Sequence, residues 1–314
     1  MRFRFLILAL LIAGNLFAAD SAYVEIRDTL HTPTGDLYGS LMLPKKMKGK
    51  VPVALIIAGS GPTDRDGNTP ALPGRNNSLR YLAEALAANG IATLRYDKRG
   101  IAASVAAGAK EEDLRFDQYV QDAAGWVQQL KRDKQFSRVS IIGHSEGSLI
   151  GMLAARGADR IASLCGAGVP ADSLIRKQLA NLPPVVRASA YQSLDSLKNG
   201  LLVKKPSIYL LSLFRPSVQP YLISWFRYDP RTAIASLKIP VLIVQGDNDL
   251  QVSLEDATTL KKACPKAKLK IVKDMNHVLK LVESRDAKVN GEAYSDPALP
   301  VAPRLIEAVV AFLR

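Results

Sequence analysis

The chain has few of the residues that build metal centres or disulfide frameworks. Its 314 residues hold only two cysteines and three histidines. No pair of them has zinc-finger spacing, and two cysteines cannot staple a chain of this length into a small disulfide scaffold. There is no Gly-rich phosphate loop, no internal repeat and no low-complexity stretch. Basic residues outnumber acidic ones, 42 against 29, for a formal net charge of +13. The excess sits partly at Lys45, Lys46, Lys48 and Lys50 and between Lys261 and Lys270. It lacks the interleaved aromatics of a nucleic-acid surface, so it is read as solvated faces open to peripheral contact with anionic surfaces. Apolar residues make up 48% and charged ones 23%, which suits a well-cored globular protein rather than a disordered chain.

Residues 1–19 have the form of a secretory signal. Arg2 and Arg4 precede the apolar run Phe5 to Ala13, and Ala18 and Ala19 offer small residues for cleavage. The run is too short for a comfortable membrane span, which takes roughly 20 apolar residues. The expectation is an exported protein, periplasmic or secreted. Export would permit a disulfide between Cys165 and Cys264, but the strand assignment puts them towards opposite ends of the sheet. Cys165 reads as a core residue and Cys264 as a helix-end residue.

Tyr23 to Pro44 reads as a hairpin turning at Thr34-Gly35-Asp36. Thereafter strands and helices alternate. Strands are expected at Val51–Ala58, Ile91–Tyr96, Val139–Gly143, Ile161–Cys165, Val241–Gln245 and Leu269–Val272. Helices are expected at Ser78–Asn89, Asp117–Lys131, Glu146–Arg156, from Ser253, and at Pro303–Leu313. Continuous apolar strands between amphipathic helices predict a mostly parallel sheet covered on both faces. The alternation breaks from Ala171 to Ala235, where Pro183-Pro184, Pro206 and Pro216 punctuate short helices. The predicted organisation is a core of residues 20–170 and 236–314, with a helical lid at 171–235.

Gly143-His144-Ser145-Glu146-Gly147 fits G-x-S-x-G. Alone this is weak, arising by chance in roughly one chain in ten of this length. Its setting is specific: a buried-strand pattern precedes it and a helix follows, as a serine on a sharp strand-to-helix turn requires. A serine hydroxyl needs a base. Of the three histidines, His31 lies in the hairpin and His144 on the tight turn itself. His277 remains, just after the last strand. The acid that orients it should follow the preceding strand. There Gln245 to Val252 offers Asp249 first and Asp247 second. A developing oxyanion needs two backbone N–H donors. Glu146, directly after the serine, supplies one. The loop Gly59-Ser60-Gly61-Pro62 supplies the other, from Ser60 or, next, Gly61.

Four stretches together resemble one superfamily: Gly59 to Asn68, Asp97-Lys-Arg-Gly100, the Ser145 turn, and Gly246 to Val252 followed by His277. The chain resembles the α/β hydrolases, in particular their bacterial esterase and serine-aminopeptidase-like branch, over about residues 23–314. The order Ser145, Asp249, His277 is that of the superfamily. The resemblance implies an acid at the fourth position of G-x-x-D, here Asp249. Ala58-Gly59 replaces the usual His-Gly before the oxyanion donor, as in the G-S-G-P subgroup. It implies ester hydrolysis through an acyl-enzyme, with no metal or organic cofactor and a small-molecule partner; the apolar lid residues point to short-to-medium acyl groups. Gly61, Phe214, Tyr221, Trp225 and Phe226 are the expected acyl-site residues. The alternatives are an aminopeptidase, with Glu146 holding a substrate ammonium, and a non-catalytic binding protein on the same fold.

Overall fold

The computed structural model describes residues 22–47 and 49–314; the expected signal at 1–19 lies outside them. Eight strands form one sheet in the order β1-β2-β4-β3-β5-β6-β7-β8. β1 (Tyr23–Thr32) and β2 (Gly35–Pro44) make the expected hairpin, and β2 pairs antiparallel with β4 (Ala92–Tyr96). The remaining pairings, through β3 (Val51–Ile57), β5 (Phe136–His144), β6 (Arg160–Leu164), β7 (Val241–Gly246) and β8 (Lys268–Val272), are all parallel.

The apolar runs are explained by two cores, one on each face. In β3, Val53, Leu55 and Ile57 join one core, while Ala54 and Ile56 join the other. In β7, Val241 and Ile243 alternate with Leu242 and Val244 in the same way. A strand with successive side chains on opposite faces must be apolar throughout when both faces are covered. Helices Phe116–Arg132, Glu146–Leu153 and Leu254–Ala263 cover the first face, and Ser78–Ala88 and Pro303–Leu313 the second. The edge strand β8 exposes Lys268 and Lys270, so part of the basic excess is a solvated sheet edge that resists further pairing.

The predicted elements recur with small shifts in their ends. Helix Ser78–Ala88 stops beside Gly90, whose φ of 79° only glycine adopts without strain. Ser253 and Asp256 form the expected capping box. The helix after Ser145 ends at Leu153, earlier than the expected Arg156. Between Ala171 and Ala235 lie short helices, the longest being Ala171–Gln178 and Pro184–Lys198. They bury their own apolar cluster, with Ile175, Leu194, Leu197, Phe214, Leu222 and Phe226 at its centre. Phe116 of the core stacks on Trp225 at 5.8 Å between ring centroids, seating these helices over the first face.

Candidate active site

Ser60, Gly61, Ser145, Glu146, Asp249 and His277 sit beyond the C-terminal ends of the parallel strands, where loops leave the sheet together. Ser145 follows β5 and precedes helix Glu146–Leu153, with φ 55° and ψ −120°. That strained turn depends on its two glycines. A Cβ on Gly143 would lie 2.2 Å from the Gly147 carbonyl oxygen, and one on Gly147 would lie 2.3 Å from that of Ile57. Both contacts are with backbone, so no side-chain movement relieves them.

The Ser145 Oγ lies 3.1 Å from His277 Nε2, and His277 Nδ1 lies 2.8 Å from Asp249 Oδ2. A carboxylate only accepts, so Nδ1 carries the proton, Nε2 presents its lone pair and the serine hydroxyl donates to it. Asp249 Oδ1 accepts from the backbone N–H groups of Gln251 and Val252, at 2.8 and 2.9 Å. Burial alone would raise the Asp249 pKa. The His277 ring and these N–H groups outweigh it and hold the carboxyl below its ordinary range. Asp247, the second candidate, turns away: its Oδ1 accepts from the Asp274 N–H at 2.6 Å and pins the loop before His277.

The other two histidines are occupied. His31 is exposed and bonds Asp36 in the hairpin turn. His144 is buried, and its Nε2 donates to the His277 backbone oxygen at 2.8 Å, so the residue before the serine holds the His277 loop in place. Burial, reinforced by the His277 ring, lowers the His144 pKa from 6.5 to about 4. On acidification the unfolded chain therefore takes up this proton first, near pH 6.5, and the folded chain only near pH 4. Stability contributed by the neutral ring is complete above about pH 6.5 and gone below about pH 4. Between pH 7 and 4.5 the wild type should lose about 2 kcal/mol through this group alone. Urea unfolding of wild type and His144→Gln at both pH values measures it; equal losses would refute it.

His144, Cys165 and His277 are the described residues grouped closely enough to hold a metal, with ligand atoms within 4.8 Å of one another. Their chemistry argues against it. His277 has both ring nitrogens engaged, and the Cys165 thiol is pushed up by burial and by the Asp249 charge. A metal there would dismantle the Ser145–His277–Asp249 chain. Both cysteines are free, Cys165 buried at the end of β6 and Cys264 at the end of helix Leu254–Ala263.

Ser145 opens onto two cavities. The larger, about 690 Å³, is lined by Ser60, Gly61, Ser145, Glu146, Tyr221 and Trp225 among others, with much of the wall apolar. Phe214 and Phe226, expected beside them, do not line it. They point into the apolar cluster of the overlying helices, Phe214 with no exposure at all. Short helices that must bury a core of their own spend apolar side chains there. The smaller cavity, about 290 Å³, is lined by His277, His144 and a more polar set including Thr69, Asn76 and Tyr294.

The stretch Asp97 to Gly100 braces the site. Asp97 accepts from the Arg65 backbone N–H at 2.8 Å and from its guanidinium at 2.7 Å, fixing the loop after Gly59. Lys98 donates to the Gly59 carbonyl and pairs with Glu146 at 3.0 Å. Arg99 pairs with Asp122 at 2.6 Å, and Gly100 turns with φ 80°. The acids of the same loop are spent on protein: Asp64 accepts from Asp66 and Asn68 N–H groups, and Asp66 pairs with Arg95. Two residues here escaped sequence reasoning. Lys98 had a signal, a lysine in an otherwise noted motif. Gln245 had a weaker one, a polar residue ending an apolar strand; its amide donates to Asp249 Oδ2 at 3.0 Å.

The chain matches known proteins in both sequence and fold. A family described as serine aminopeptidase, S33, matches residues 75–209, which include the Ser145 turn. Esterase EstD of Thermotoga maritima is 28% identical over 268 residues, covering 83% of this chain; the chain spans 60% of that relative's length. Among solved structures, Est1E from Butyrivibrio proteoclasticus superposes with a TM-score of 0.58 at 18% identity, covering 91% of this chain and 97% of that one. The Pyrococcus furiosus esterase Pf2001 superposes at 0.56 and 18% identity, covering 96% and 93%. The chain has the α/β-hydrolase fold, and its similarities lie in the esterase and serine-aminopeptidase-like branch of that superfamily.

Proposed function

We propose that the protein is a serine hydrolase that cleaves carboxylic esters of short-to-medium, apolar acyl groups, with Ser145, His277 and Asp249 as its triad. The observation that carries this is the hydrogen-bonded chain Ser145–His277–Asp249 at the mouth of a cavity of about 690 Å³. His277 Nε2 takes the hydroxyl proton as Ser145 Oγ attacks the ester carbonyl. The backbone N–H groups of Ser60 and Glu146 hold the oxyanion. His277 then returns the proton to the departing alcohol, which places the alcohol on the His277 side, in the smaller cavity, and the acyl group in the larger. Water, deprotonated by the same imidazole, clears the acyl-enzyme. The helices of 171–235 act as a lid over the acyl group, and the expected signal at 1–19 would send the enzyme out of the cytoplasm.

The ester reading is favoured over the aminopeptidase by Glu146. An ammonium-binding carboxylate must be free, and this one is buried, paired with Lys98 and bonded by the Tyr221 hydroxyl. The other acid on the cavity wall, Glu111, is paired with Arg215. Treatment with a fluorophosphonate followed by mass spectrometry should place the label on Ser145. p-Nitrophenyl butyrate should be turned over in preference to aminoacyl-nitroanilides. An unlabelled Ser145 in folded protein would sink the hydrolase assignment, and faster anilide cleavage would sink the ester preference.

A further inference from the structure

Lys98 joins the two chain segments that carry the oxyanion donors. We propose that Lys98 is a positioning residue for the oxyanion hole, and that Tyr221 ties its partner Glu146 to the overlying helices. The proposal rests on the serine-hydrolase reading above.

Lys98 is 1% exposed, its ammonium 5.3 Å from the centre of the Tyr119 ring. It donates to the Gly59 carbonyl oxygen and, at 3.0 Å, to Glu146 Oε2. The Gly59 carbonyl and the Ser60 N–H are two ends of one planar peptide group. A cation on the oxygen draws electron density through that amide, strengthens the N–H as a donor and stops the group from rotating. The second donor, the Glu146 N–H, belongs to the residue whose carboxylate the same ammonium grips. One buried charge thus fixes both donors relative to each other, though they lie on loops after β3 and β5. Gly59 also packs against the serine: a Cβ there would meet the Ser145 Cβ at 3.2 Å.

Tyr221 extends the clamp into helix Gln219–Trp225, where its hydroxyl donates to Glu146 Oε1. Burial, together with the Glu146 charge, drives the phenol well above its ordinary pKa, so it stays protonated and remains the donor. A buried ion pair is seldom the most stable filling for such a space. Preorganisation of two donors is a use that an apolar pair could not serve.

Lys98→Met leaves Glu146 buried and unpaired and is expected to destabilise the fold, so the decisive variant is Lys98→Met/Glu146→Gln, which removes both charges and keeps both backbone donors. With p-nitrophenyl butyrate it should show kcat reduced about 10–100-fold, below the loss for deleting a donor outright, with KM changed less than about threefold. Affinity for an alkyl trifluoromethyl ketone, which forms an oxyanion on the serine, should fall in the same proportion as kcat/KM. A purely structural lysine would move neither in parallel. A folded double variant with kcat and ketone affinity within about threefold of wild type would overturn the proposal, as would a raised KM at unchanged kcat. If folded wild type neither hydrolyses the ester nor takes fluorophosphonate, the hydrolase reading itself fails and the clamp falls with it.

Discussion

Ser145→Ala should lower kcat for p-nitrophenyl butyrate by about 10⁵–10⁶-fold while leaving the fold intact. In the proposed reaction Ser145 Oγ is the atom that attacks, and no neighbour can replace it. The thiol nearest the imidazole is Cys165, within 4.8 Å of a His277 ring nitrogen, but it is buried and held protonated by burial and the Asp249 charge. Alanine also fits the site. The turn's strain resides in φ 55° and ψ −120°, which serine and alanine bear alike. Its steric demands fall on Gly143 and Gly147. Thermal unfolding within a few degrees of wild type, together with loss of turnover, is the expected pair of results. Substantial residual turnover would mean that the hydrolysis proceeds elsewhere.

Asp249→Asn should cost about 10⁴-fold in kcat, whereas Asp247→Asn should stay within about tenfold. The difference follows from what each carboxylate does. Asp249 Oδ2 accepts the His277 Nδ1 proton and so keeps the lone pair of Nε2 facing Ser145. An asparagine amide turned towards Nδ1 would donate instead, moving the ring proton to Nε2 and leaving the serine without a base. The alternative amide orientation restores the tautomer but forfeits the charge that stabilises the imidazolium. Asp247 accepts a backbone N–H from Asp274, and an asparagine carbonyl can do the same. Steady-state kinetics on the two variants decides the matter. Loss of turnover in Asp247→Asn alone would remove Asp249 from the triad.

Much of this site is legible in the chain because its markers are local. The Ser145 turn is five contiguous residues between a strand and a helix, both recognisable by their own apolar periods. His277 is reached by elimination among three histidines, and Asp249 by its place after β7. Other features depend on partners far along the chain. Lys98 meets oxygens 39 and 48 residues away, and Tyr221 meets a carboxylate 75 residues away. The segment from Asp274 to Ala302, with its isolated bridges at Met275 and Lys280, has no period to reveal how it frames His277. Phe214 and Phe226 show the same limit. In short helices broken by prolines, composition signals apolar burial but not which side receives it.

The amino-acid sequence by itself determined the alternating architecture, the order Ser145, Asp249, His277 along it, and the glycines that permit the turn. These rest on nearest-neighbour sterics and on strand and helix periods, which are written into consecutive residues. Only the tertiary structure decided that Glu146 is paired with Lys98, that Lys98 bridges the loops after β3 and β5, and that Trp225 but not Phe226 faces the larger cavity. Such choices turn on charge pairing and packing between distant segments. In a buried site each depends on what the opposite wall supplies.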